Sequence, residues 1–118
     1  MMDKENFIKA INLAVLDSIS GDIDEYLTHP LSRKKEELNE IIEWYTKLDE
    51  KEKDMARRLI NLSANHSVFG ILCLLDGVRA IEDSPKKGKL ELIYTNGDYK
   101  TILNEENGEY LHDIFNSQ

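Results

Sequence analysis

The stretch Val68-Phe69-Gly70-Ile71-Leu72-Cys73-Leu74-Leu75 leaves this chain little choice of fold. It carries no charge and follows a run of helix formers, so the pattern predicts a long helix over about 50–82 that is apolar on every side in its second half. A segment of that kind must be surrounded, either by the rest of the fold or by a second copy of the chain. A homodimer through this half is therefore one expectation. In the first half, Met55, Leu59 and Leu62 are expected inward, with Arg57, Arg58 and Asn61 mostly outward. Ser63, Ser67, Gly70, Cys73 and Gly77 recur at spacings of three or four and read as a stripe for close packing.

Two helices are expected ahead of it. The first starts at Asp3 as N-cap, carries Ile8, Ile11, Val15 and Ile19 inward, and stops at Ser20-Gly21. A short helical turn over 22–27 follows, before His29-Pro30 breaks the run. The second is capped by Ser32, with Leu38, Ile41, Ile42, Tyr45 and Leu48 on one face. At about 100° per residue, Glu36, Glu40 and Glu43 fall opposite, with Trp44 on the boundary. Asp49 and Glu52 have the spacing of a capping box, so the chain turns tightly into the long helix.

Beyond a loop at Ser84-Pro85-Lys86-Lys87-Gly88, segments 89–95 and 98–103 flank Asn96-Gly97, the preferred pair for a two-residue hairpin turn. That turn sets Tyr94 opposite Tyr99, Leu92 opposite Thr101 and Leu90 opposite Leu103, all six on the side packed against helices. Gly108 leads into a short terminal helix with Tyr110, Leu111, Ile114 and Phe115 available for docking. The expected architecture is α+β and mostly α. It has three helices with a long third, a C-terminal hairpin and a short last helix, in one domain over 1–118.

Composition narrows the function classes. The 118 residues carry a formal charge of −8. Residues 1–50 hold 12 acids against 6 bases, so the acidity lies mainly in the first half. That sign repels phosphate backbones and attracts a basic partner, which disfavours nucleic acid. No contiguous apolar run approaches the roughly 20 residues that span a bilayer, and residues 1–9 lack a signal-peptide pattern. With a single cysteine, Cys73, these features point to the cytosol. Abundant Lys, Asn, Ile and Glu fit a low-GC bacterium.

Motifs of chemistry are missing. The sequence contains no phosphate loop, dinucleotide fingerprint, H-E-x-x-H, C-x-x-C or G-x-S-x-G, so no cofactor is expected. One cysteine and three histidines do not supply a structural zinc site, and Asp22, Asp24 and Glu25 lack the loop of a calcium hand. Cys73 reads as buried and inert, and His29 and His112 have no sequence neighbours that make a site.

Two candidate sites remain. Glu36, Glu40 and Glu43 with Trp44 form an acidic helical surface suited to a basic protein. His66, expected buried, would be the base of a small enzyme or ligand pocket between long helix and hairpin, oriented by Asp76 or Asp113. About 15 Å of helix separates His66 from Asp76, and Asp76 is expected to pair with Arg79. In size, acidity, helical character and lack of a catalytic set, the chain resembles the small immunity proteins that bacteria use against secreted toxins. That likeness is of type and transfers no residue roles. The sequence favours a non-enzymatic binding module over the pocket.

Overall fold

The computed structural model describes residues 1–29, 36 and 38–118. The fold is α+β and mostly α: helices α1 (Lys4–Ile11), α2 (Ile19–Thr28), α3 (Asn39–Thr46) and α4 (Glu50–Leu75), a hairpin of β1 (Ile93–Asn96) and β2 (Tyr99–Ile102), and α5 (Leu111–Asn116). The chain divides into two compact units. Met1–Leu13 with His66–Gln118 form a terminal unit, and Ala14–Asn65 form a middle unit. Helix α4 contributes residues to both.

Asp3 caps α1 as expected, its carboxylate accepting from the Asn6 amide. The helix then departs from the simple periodicity. Asn12–Leu16 form a π-helical turn, and the chain resumes as α2, which runs straight through Ser20-Gly21. A π turn accommodates one extra residue, so the inward position passes from Val15 to Leu16. Leu16 is buried and Val15 exposed. Gly21 has no positive φ and sits inside a helix, so it terminates nothing. This split makes the long helix the fourth rather than the third.

In the middle unit α2 packs on α3. The inward arc of α3 centres on Tyr45, whose phenol donates to the Asp24 carboxylate of α2. That bond, then burial, holds the phenol above its ordinary pKa. Lys53 lies 5.5 Å over the same ring. Ile41 is at the rim of this arc and exposed, contrary to its expected inward place. The proposed cap Ser32 lies outside the described residues.

Helix α4 begins with a complete capping box: the Glu52 amide donates to Asp49, and the Asp49 amide donates to Glu52. It ends at Leu75, short of the expected 82. The Gly77 amide donates to the Leu74 carbonyl and the Val78 amide to the Cys73 carbonyl, the paired bonds of a Schellman motif. Gly77 supplies the left-handed residue that this motif needs, at φ 75°. Val78 and Ile81, although apolar, therefore lie beyond the helix and are exposed.

The hairpin forms where expected but in a register two residues away. Asn96 pairs with Tyr99, Tyr94 with Thr101 and Ile93 with Ile102. Gly97 and Asp98 are the turn residues, and only Gly97 has positive φ, as in a type II′ turn with glycine first. A slip of two preserves which side chains share a face, so Leu92, Tyr94, Tyr99, Thr101 and Leu103 stay together. The Tyr94 and Tyr99 rings meet edge-on at 6.2 Å between centroids.

In the terminal unit α1 packs on α5, and Ile8, Leu72 and Leu111 are its fully buried side chains. The two glycines discriminate this account. Gly77→Ala should lower the unfolding free energy by about 1–2 kcal/mol, because alanine is strained at positive φ. Gly21→Ala, in an open helical position, should leave it unchanged or raise it by up to about 1 kcal/mol. Urea denaturation of the two variants checks both signs.

Candidate functional site

Because α4 stops at Leu75, the Asp76 side chain is free to turn toward the last helix. Its carboxylate is only 2% exposed. Oδ1 accepts from the Leu111 amide at 3.0 Å and Oδ2 from the His112 amide at 2.8 Å. His112 Nδ1 adds a contact to Oδ2 at 2.6 Å. Tyr110, at the N-cap position of α5, offers no side-chain cap bond. Asp76 provides that cap from 35 positions earlier in the chain. A carboxylate on the first amides of a helix also meets the positive end of the helix dipole.

Two further polar contacts hold the same region. The Lys4 ammonium donates to the carbonyls of Glu105, Asn107 and Glu109 at 2.7, 2.7 and 2.9 Å, using all three of its protons. Asn104, buried, accepts from the Leu92 amide and donates to the Leu75 and Leu90 carbonyls. The segment between hairpin and α5 is thus tied to α1, to the end of α4 and to the approach to β1.

The Asp76–His112 pair has the donor–acceptor order of a general-base dyad. Its surroundings assign it to packing. The His112 ring stacks on Tyr110 at 5.4 Å and meets Phe69 edge-on at 5.7 Å. Its Nε2 lies 3.4 Å from Asp113. Among the described residues, no Ser, Thr or Cys side chain bonds to it. Cys73 is buried, and burial pushes its thiol up, away from the reactive thiolate.

His66 does not take its expected buried place. His66 is exposed on α4, with no carboxylate bonded to it, because the α4 face it shares with Leu59 and Leu62 points to solvent. The expected Asp76–Arg79 pair is likewise absent among the described residues: the carboxylate serves α5, and the Arg79 guanidinium rests over Gly70. Asp76 and Arg79 do line one cleft at the end of α4, together with Asn104 and residues 87–90. No three His, Cys, Asp or Glu side chains among the described residues converge as metal ligands would. Asp22 instead accepts from Ser18, and Glu25 faces His29.

The residues expected to form an acidic face on one helix are divided, because α3 starts only at Asn39. Glu40, Glu43 and Trp44 are exposed on α3, with Glu36 exposed just ahead of the helix. None of the three carboxylates has an ion pair among the described residues. Trp44 is 55% exposed, and Ile41 lies beside it, one turn back. A second apolar surface was not anticipated. Met55, Leu59 and Leu62, expected inward, are 56%, 63% and 56% exposed. At 100° per residue they form one stripe, roughly 140° around α4 from its half-buried face at Ala56, Ile60 and Ala64.

By length and composition α4 is long and apolar enough to cross a membrane, with a mean hydropathy of 1.3 over 18 residues. Contiguous apolar runs alone miss this, since the average tolerates the interspersed Asn61, Ser63, Asn65 and Ser67. No family model, curated protein or solved structure matches this chain.

If the Asp76 contact is a structural cap, Asp76→Ala strands two backbone donors and should lower stability by about 3 kcal/mol. His66→Ala, at an exposed site, should change it by less than about 0.5 kcal/mol. Urea unfolding of both variants gives the comparison. Equal stability of Asp76→Ala and wild type would remove the structural role.

Proposed function

We propose that this chain is a non-enzymatic protein-binding module that engages a basic partner through α3. The carrying observation is Trp44, half exposed beside Ile41 and flanked by the exposed Glu40 and Glu43. Leaving an indole in water is unfavourable, and interface centres favour tryptophan ringed by polar groups. The exposed carboxylates of Glu36, Glu40 and Glu43 add a field that speeds encounter with cations and orients them. Lys47, just after α3, is the basic residue nearest to Trp44 in sequence and sets one edge of the acidic surface.

The α4 stripe supports the same class of function. Three large apolar side chains on a face turned away from the helix's own packing are surface that a partner would cover. A protein rather than lipid suits them, because Asn61, Asn65 and His66 are exposed on the same helix and would each need a partner in hydrocarbon. The net charge of −8 also repels anionic membrane surfaces.

A tagged chain recovered from its source cells, and compared with Trp44→Ala and Glu40→Lys/Glu43→Lys forms, tests this reading. The expected result is a basic protein retained by the wild type and lost, by at least tenfold, from both variants of unchanged thermal stability. Retention of the same proteins by all three would contradict it.

A further inference from the structure

We infer that the cleft at the C-terminal end of α4 binds a small organic monoanion with an apolar body, of the size of a short-chain carboxylate. This site lies wholly within the terminal unit and is independent of the α3 surface. Its volume is about 220 Å³. Leu74, Leu75, Ile81 and Leu90 supply apolar wall, and Arg79, Lys87 and Lys89 supply cations.

The walls are fixed before any ligand arrives. Asn104 donates to the Leu75 carbonyl on one wall and to the Leu90 carbonyl on the other, at 2.6 and 2.8 Å. The Gly88 amide donates to the Glu82 carboxylate, which closes the intervening loop on itself. Preorganisation of this kind reduces the entropy lost on binding.

Charge selects the ligand class. Three carboxylates stand against the three cations: Asp76 and Glu106 line the cleft, and Glu82 lies on Gly88 of its wall. Asp76 is engaged by α5, and Glu106 pairs with Lys89 at 3.6 Å. Lys87 and Arg79 have no ion pair among the described residues and are the cations left to meet an anion. The three nearby carboxylates disfavour a doubly charged phosphate more than a singly charged carboxylate. The chain's other acids do not forbid this, because exposed charges beyond about 8 Å are largely screened at physiological salt. The volume equals about seven waters of liquid, so the apolar body is limited to a few carbons.

Amide-resolved NMR titration of the full chain tests the inference, with hexanoate as probe and 1-hexanol and inorganic phosphate as comparisons. Hexanoate should shift the amides of residues 74–75, 87–90 and 104 saturably, with a Kd of about 0.1–1 mM. Lys87→Gln, at an exposed position that leaves the fold intact, should weaken it about fivefold. Absence of these shifts up to about 10 mM hexanoate would overturn the proposal. So would undiminished binding by Lys87→Gln, hexanol binding as tightly as hexanoate, or phosphate binding more tightly than either.

Discussion

The Asp76 carboxylate, almost completely removed from water, is the interaction on which the terminal unit depends. A lone buried carboxylate is severely unfavourable, and this one is tolerated because three donors of one short helix converge on it. The dependence is mutual. A six-residue helix does not hold its shape alone, and α5 has no cap of its own. Once capped, it presents Leu111, Ile114 and Phe115 to the core. The end of α4 must stop where it does for this to happen, so the left-handed Gly77 belongs to the same device.

Polar contacts of this kind concentrate in the terminal unit. Lys4 and Asn104 each hold three partners, and no buried side-chain polar atom among the described residues lacks one. The middle unit has another character. Among its described residues the buried hydrophobic side chains are Leu16, Leu27 and Tyr45, while Ile41, Trp44, Met55, Leu59 and Leu62 are exposed. On the reading proposed above, this exposed apolar surface and the carboxylates beside Trp44 are where a partner would bind. The closed hydrogen bonding around His112 makes the Asp–His pair a poor place to look for catalysis.

Much of the local structure was legible in the residues. The Asp3 cap, the Asp49/Glu52 capping box and the hairpin each rest on contacts within a few positions, which sequence spacing reports directly. The exposed Trp44 and its carboxylates were legible for the same reason. What was misread depended on distant partners. Asp76 looked like the mate of Arg79 because those two are near in sequence, whereas its true donors lie 35 and 36 positions on. His112 carried no local signal at all, and a buried Asn104 looks in sequence like any loop asparagine. The π turn at Asn12–Leu16 shifted the inward register without changing the apolar pattern. Gly70 and Gly77 sat in one stripe of small residues, yet one lies inside α4 beneath Arg79 and the other ends it.

Native-state hydrogen exchange of the Leu111 and His112 amides tests the central claim most directly. If Asp76 locks α5 into the unit, these two amides should exchange only through the same opening as the Leu72 and Cys73 amides in the core of α4, with equal protection. Fast exchange at Leu111 and His112, with α4 still protected, would show a frayed terminal helix and contradict the account.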